Sequence, residues 1–325
     1  MAQVVDETRP DAEEPQPAAD TSQQVIGRTP WQLFWRRFRK DKFAIAGLVI
    51  VILMLLIAIF APLISKFHHG PNEVYLDQLD EFGIPKGPSG EFWFGADTTG
   101  RDLFVRVIYG ARTSLFIAFF ATGMATTLGV FFGMLAGFYR GKVDTFISRA
   151  IDVVLSLPVL LLALGLVSAC GLQKSGCLGG IIQPGLLLVS YVIGLFSWPY
   201  IARIVRGQVL SLREKEFIEA ARSMGSTNMR IMFREILPNV AAPIIVYTTL
   251  IIPSNILFEA ALSFLGIGVP QETPSWGRQL AEAGTIFTVA WWMMLFPGLF
   301  LFLTTLAFNL VGDGLRDALD PRTGG

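Results

Sequence analysis

The sequence predicts an all-α fold, a polytopic helical membrane protein with six transmembrane helices. Three observations predict it. The 325 residues are 52% hydrophobic and only 16% charged, where ordinary soluble domains carry roughly 25% charge. The apolar residues gather into six segments long enough to cross a hydrocarbon core, which takes about 20 residues of helix. Lys and Arg concentrate in alternate connections, the pattern that orients membrane helices, although the long first outer loop, with Lys66, Lys86, Arg101, Arg106 and Arg112, weakens it locally. Lys+Arg and Asp+Glu both total 26, so no global charge points to nucleic acid.

The segments follow in order. Residues 1–28 form a tail rich in Pro, Ala and acids, with almost no large apolar residues, and are expected to be disordered. Residues 29–42 are expected to form an interfacial amphipathic helix. Thr29 stands as N-cap and Pro30 at the first helical position. Trp31, Phe34, Trp35 and Phe38 then recur at helical spacing beside Arg36, Arg37, Arg39, Lys40 and Lys42, an aromatic face for the membrane with basic residues for anionic headgroups. A plain basic flank that only orients the first span is the alternative. Residues 43–113 hold the first transmembrane helix, Phe43 to Ile64, and a long extracytoplasmic loop. Residues 114–312 form a five-helix core with spans at Ser114–Phe138, Ala150–Cys170, Ile181–Ile204, Val240–Ile267 and Thr285–Val311. Residues 313–325 form a cytoplasmic C-terminal tail. The positive-inside rule places both termini and the loop at 206–239 in the cytoplasm, the latter through Arg206, Arg213, Lys215, Arg222, Arg230 and Arg234.

Several chemistries are excluded or weakened. A GxxxxGK[ST] phosphate loop is missing: Gly141-Lys142 is followed by Val143 and has Ala136 where the first Gly should be, so this chain is not expected to hydrolyse ATP. The two histidines, His68 and His69, lie just after the first apolar segment, which leaves the spans without histidine. Two cysteines, Cys170 and Cys177, are too few for a disulfide scaffold or a four-ligand zinc site. No residue is assigned as catalytic, cofactor-binding or metal-ligating.

The loop 206–239 carries the main functional signal. Arg213, Glu214, Lys215, Glu216, Glu219 and Arg222 include opposite charges at helical spacing, and Glu219-Ala220-Ala221 continues with good helix formers. Gly225 suits the left-handed conformation that ends a helix, and Ser226 or Thr227 can cap the next. Met229, Ile231, Met232, Phe233 and Ile236 make that next helix partly apolar, and Pro238 separates it from the fifth span. Two short helices joined at a Gly turn can move as rigid pieces and transmit motion.

Glu219-Ala220-Ala221, Met224-Gly225 and then Leu237-Pro238 resemble the EAA loop of permeases in ATP-binding-cassette importers. The family pattern has Ile ten residues after the Gly; here Glu235 stands there and Ile236 follows. "FREILPN" (Phe233 to Asn239) looks like the peptide-importer branch. "FWRRFRKDKFAIAGLVI" (Phe34 to Ile50), "FGADTTGRDLFVRVIYGARTSL" (Phe94 to Leu115), "EAALSFLGIGV" (Glu259 to Val269) and "LAFNLVGDGLRDALDPR" (Leu306 to Arg322) resemble the second, C-type permease subunit of bacterial dipeptide/oligopeptide importers. The resemblance implies the type I importer permease fold, a homologous permease partner in a heterodimer, two cytoplasmic ATP-binding subunits that carry ATP and Mg, and an extracytoplasmic peptide-binding protein. It implies a bacterial inner-membrane location. It assigns ATPase coupling to Glu219, Ala220, Ala221, Met224, Gly225, Leu237 and Pro238. A second EAA, Glu259-Ala260-Ala261, lies inside the fifth span without a downstream Leu-Pro.

Four further sites draw attention. Glu259 is the one clear acid within a span and defaults to a functional reading: it either lines the pathway or hydrogen-bonds a neighbouring helix. Arg101-Asp102 either meets a docking protein or positions its loop through a local ion pair. Cys170 and Cys177 flank an outer loop, where a disulfide is expected in an oxidising compartment and two free thiols are the alternative. Trp291-Trp292 reads as an interfacial anchor. The rival functional class is an ATP-independent secondary transporter or channel, which would be expected to carry more intramembrane carboxylates.

Overall fold

The computed structural model describes residues 30–171 and 184–319. Its principal elements are helices: α1 (Pro30–Phe38), α2 (Lys42–Lys66), α3 (Leu103–Tyr139), α4 (Gly141–Ser156), α5 (Val159–Gly171), α6 (Leu186–Leu212), α7 (Glu216–Ser223), α8 (Asn228–Arg230), α9 (Leu237–Phe264), α10 (Trp276–Ala283) and α11 (Trp292–Leu319). Five helical stretches are long and apolar enough to span a membrane: α2, α3, α6, α8 through α9, and α11. The sixth crossing expected at Ala150–Cys170 is not one helix. It is α4 and α5, bent by 86°. The physical cause is Pro158: it bars the preceding residue from helical geometry, and Leu157 sits extended at ψ 145°.

Close contacts set the directions. Gly194 on α6 faces Ala121 and Met124 on α3, Gly129 faces Ile201, Gly133 faces Ala202 and Val205, and Gly137 faces Val209. Both numberings rise together, so α3 and α6 run parallel. Parallel neighbours require a return between them, and α4 with α5 supplies it. By the same reasoning α9 is antiparallel to α3, through Ser114 with Glu259, Thr122 with Asn255 and Thr126 with Thr248. α2 is antiparallel to α11, with Gly47 beside Ala307 and Gly314 beside Ala44. The start of α2, the end of α11 and α7 therefore share one end of the bundle, and residues 67–102 occupy the other.

The tightest seam is α3 on α6. Gly129, Gly133 and Gly137 recur every four residues on one face of α3. In lipid no hydrophobic force pulls helices together, so small residues that allow close backbone approach make the interface. A Cβ on Gly133 would stand 2.7 Å from the Ala202 carbonyl oxygen and 2.8 Å from Val205 Cβ.

Boundaries differ from expectation where side chains outside the spans are packed. α3 begins at Leu103, well before Ser114, because Asp102 caps it: Oδ1 accepts from the Phe104 and Val105 amides at 2.9 and 3.4 Å. α11 begins at Trp292 rather than Thr285, and Asp313 to Leu319 continue it, so the C-terminal segment is helical over those residues. Trp292 is not a lipid anchor. It is buried, and its Nε1 donates to the Ala96 carbonyl at 3.2 Å; Trp291 is the exposed member of the pair. α1 is shorter than 29–42; it ends at Phe38, which packs on Ala44 and Ala318, and Asp41 caps α2. Thr29 and the 1–28 tail lie outside the described residues.

Residues 67–102 fold without regular strands into a cap over that end. The Gly70 amide and the Tyr75 hydroxyl donate to the Glu73 carboxylate at 2.9 and 2.8 Å. Together they hold Glu73 below its ordinary range, and the same bond pushes Tyr75 up to about 12. Arg101 Nε donates to Asp97 at 2.7 Å, and Arg106 Nε lies 3.2 Å from the same carboxylate. Arg101 is buried in this pairing, which is the loop-positioning role. Its partner is Asp97 rather than the adjacent Asp102.

Candidate coupling site

α7 is an amphipathic helix with its two faces sharply separated. Ile218 and Ala221 point inward, at 1% and 5% exposure. They join a core cluster that includes Val205 and Val209 of α6, Met134 and Ala136 of α3, and Ile231, Met232 and Ile236 of the following turn. Glu219 and Ala220 face out, with Phe217 and Met224 beside them at 41% and 79% exposure. Met229 and Phe233 extend this apolar surface on the next turn, at 58% and 52%. Large apolar side chains clustered on an exposed knob mark a contact surface.

The turn follows the expected chemistry. The Met224 and Gly225 amides donate to Ala220 and Arg222 carbonyls at 3.0 and 2.9 Å, and the Ser226 amide reaches Ala221 at 3.1 Å. Gly225 sits at φ +81°, where a side chain is strained although nothing lies within 4 Å of a Cβ placed there. Left-handed backbone is the cause of the glycine, not crowding. Thr227 then caps α8, accepting from the Arg230 amide at 3.4 Å.

Leu237-Pro238 lies where α8 becomes α9. Residues Ile231–Ile236 form a π-helical turn, which ends where the Leu237 amide donates to Met232. Pro238 is the second residue of α9 within a helical path that runs unbroken from Asn228 to Phe264, so it does not separate the short helix from the fifth span as expected; the π turn just before it absorbs the change in the ladder. Such turns insert a residue into the helical ladder and are common at functional positions. Glu235, the departure from the family pattern, lies in this turn and is half-buried, while Ile236 is fully buried. Ile236 therefore takes the apolar inward position.

Side-chain contacts tie the turn before α7, and α6 itself, to the bundle. Arg213 donates to the Phe138 carbonyl at the end of α3, and Arg140 Nη2 stands 2.6 Å from Glu214. Arg206 on α6 grips Asp144 on α4 with two bonds of 2.5 and 2.8 Å. Arg140 itself has φ +53°, an uncommon conformation for a side-chain residue, at the corner between α3 and α4. These contacts join the turn between α6 and α7 to the end of α3, and α6 to α4.

Residues 129–325 match the model of the binding-protein-dependent transport system inner membrane component, and residues 29–81 match the N-terminal TM domain of oligopeptide transport permease C. The chain belongs to this family of permeases. It is 42% identical over 299 residues to the dipeptide transport system permease protein DppC of Alkalihalophilus pseudofirmus, covering 92% of each chain. It is also 42% identical over 298 residues to the glutathione transport system permease protein GsiD of Escherichia coli, again covering 92% of each. Among solved structures, two inward-facing forms of the MetNI methionine ABC transporter superpose with TM-scores of 0.53 and 0.54. Identity there is 21%, and 66% of this chain is covered with 97% and 96% of those; the likeness shows the importer permease fold.

In this permease the acid within a span, Glu259, is 0% exposed and accepts from Ser114 Oγ at 2.8 Å and Ser263 Oγ at 2.7 Å. Of the two readings, the structure displays the helix-bonding contact: Ser114 reaches Glu259 from α3, and Ser263 reaches it from one turn along α9. Glu259-Ala260-Ala261 is for the same reason no second coupling loop. Cys170, near the end of α5, is disulfide-bonded; Cys177 lies outside the described residues.

Sequence reading could not name the lining of a mainly apolar cleft between α5, α6 and α9 of about 480 Å³. Ser197, Tyr200, Tyr247, Ser254 and Asn255 contribute its polar groups. Ser197 donates to Asn255 Oδ1, and Asn255 Nδ2 to Thr122, both at 2.8 Å. Single Ser and Tyr residues scattered through apolar runs carry no periodic signal, so only packing brings them together.

Proposed function

We propose that this permease is the C-type membrane subunit of an ATP-driven importer of short peptides, with α7 as the helix that docks on an ATPase subunit. The observation that carries the reading is the two-faced α7: Ile218 and Ala221 rooted in the bundle, and Phe217, Glu219, Ala220 and Met224 left exposed. A helix built this way is anchored by one face and offers the other.

In this reading both termini and α7 are cytoplasmic, the 67–102 cap faces an external peptide-binding protein, and α1 lies at the cytoplasmic interface. A homologous permease completes the translocation path against the α5–α6–α9 cleft. Two ATP-binding subunits supply ATP and Mg; this chain supplies no catalytic residue. Relatives named for dipeptide and glutathione transport support a short-peptide cargo, and a cleft with hydroxyl and amide groups but no unpaired charge suits a peptide backbone. ATP-driven closure of the ATPase pair moves α7, and the contacts at its base carry that motion into the bundle. The rival, an ATP-independent secondary transporter, is weakened by the sealing of Glu259.

Glu219→Lys tests the proposal. The residue is exposed, so the variant is expected to fold and reach the membrane, yet to lose co-purification of the ATPase and peptide uptake. Normal uptake with the ATPase still bound would sink the docking role.

A further inference from the structure

His68 and His69, adjacent at the end of α2, meet Asp102 at the start of α3. Their three ligand atoms converge. His69 Nδ1 stands 2.7 Å from Asp102 Oδ2, His68 Nδ1 stands 3.5 Å from the same oxygen, and the two Nδ1 atoms are 3.3 Å apart. Ligands held 2.0–2.1 Å from a tetrahedral cation stand roughly 3.3 Å from one another. The triangle is therefore the size of three corners of a zinc site. We propose that His68, His69 and Asp102 bind one divalent transition-metal ion of the zinc class, which clips the end of α2 to the start of α3.

Several features go beyond the triangle itself. Asp102 is fully buried and divides its labour: Oδ1 caps α3 through the Phe104 and Val105 amides, which fixes the carboxylate and leaves Oδ2 aimed at the histidines. Ligating carboxylates are held in this way by a second set of bonds. The imidazoles are fixed by aromatic walls. His69 stacks on Phe92 with ring centres 4.7 Å apart, and His68 meets Trp93 edge-on at 4.8 Å. Glu91 Oε1 lies 3.8 Å from His69 Nε2, a carboxylate on the far side of a ligating ring, which is a recurrent outer partner of metal-bound histidine. A cleft of about 530 Å³ lined by Glu91 and Trp93 opens onto the histidines and leaves room for water as a fourth ligand. Two imidazoles with one carboxylate suit Zn²⁺ and its neighbours rather than Mg²⁺ or Ca²⁺, which prefer all-oxygen sets.

The consequence is structural. The ion would close the 67–102 cap at its base, joining His69 and Asp102, 33 residues apart in sequence, across the mouth of the bundle. The inference does not rest on the coupling reading and fails or stands apart from it.

The test uses the full chain, purified in mild detergent with a tag that contains no histidine, stripped with chelator and dialysed against Zn²⁺. Metal content is read by mass spectrometry, coordination by the visible absorption of the Co²⁺ form, and stability by thermal unfolding. About one Zn²⁺ per chain is expected, with tetrahedral Co²⁺ bands and a higher unfolding temperature when metal is bound. His68→Gln and His69→Gln should each weaken binding at least about tenfold. Asp102→Asn is the sharper variant. Asn caps a helix as well as Asp, so the metal-free protein should unfold as wild type does while losing the Zn²⁺-induced rise. No retained Zn²⁺, or equal retention by the His68→Gln/His69→Gln double variant, would overturn the proposal and leave an ordinary His–Asp hydrogen bond.

Discussion

The α3–α6 seam gives a prediction whose sign changes along one helix. Gly133→Ala places a methyl group 2.7 Å from the Ala202 carbonyl oxygen and 2.8 Å from Val205 Cβ. Ordinary contact begins near 3.4 Å, so the helices must part by several tenths of an ångström. One neighbour is backbone and cannot rotate away. Overpacking of this kind costs about 1–3 kcal/mol, partly offset by about 1 kcal/mol from the better helix propensity of alanine. Gly123, on the same helix, has no atom within 4 Å of a placed Cβ. Gly123→Ala should therefore be neutral or stabilising by up to about 1 kcal/mol. The two variants should differ by about 1–3 kcal/mol, with Gly133→Ala the lower, and the triple change at Gly129, Gly133 and Gly137 lower again. The assay is thermal unfolding of the detergent-solubilised chain, where each kcal/mol moves the midpoint by roughly 2–4 °C in soluble proteins of comparable size. Equal midpoints for the two alanine variants, or a lower one for Gly123→Ala, would refute close backbone approach as the basis of the seam.

Other outcomes follow from single side chains. Ile218→Ala removes the anchor of an eight-residue helix; large-to-small changes at buried Ile cost about 2–5 kcal/mol, so α7 should detach locally, seen as faster amide exchange there and as weaker ATPase co-purification, while the spans keep their protection. Ser114→Ala leaves Glu259 Oε2 without its donor in a buried site, a loss of about 1–3 kcal/mol, and Ser114→Thr should restore most of it; a neutral Ser114→Ala would contradict the sealed carboxylate. Deletion of residues 1–24 should leave peptide uptake unchanged, as measured with labelled dipeptide in cells, and a large loss would give the tail a regulatory role.

The α7 helix and the Gly225 turn were legible because helix propensity and left-handed backbone act within a few residues. The six apolar runs were legible for a similar reason, since length against a fixed membrane thickness needs no partner. Pro238 misled: it reads as a separator, yet the helix runs through it from Asn228 to Phe264. Pro158 carried a readable break that the hydropathy of Ala150–Cys170 concealed. Gly129, Gly133 and Gly137 show their period in the sequence but not the helix they face.

Composition and local pattern thus determined the class of molecule, five of its crossings and the shape of the α7 turn, because burial in lipid and backbone geometry are properties of a short segment. Tertiary structure alone decided that Glu259 is sealed by Ser114 and Ser263, that Trp292 binds the cap rather than lipid, that α3 and α6 run parallel at glycine distance, and that His68 and His69 meet Asp102. Each of these depends on which faces distant helices present to one another. That choice is made by the packing of the whole bundle and leaves no periodic trace in the chain.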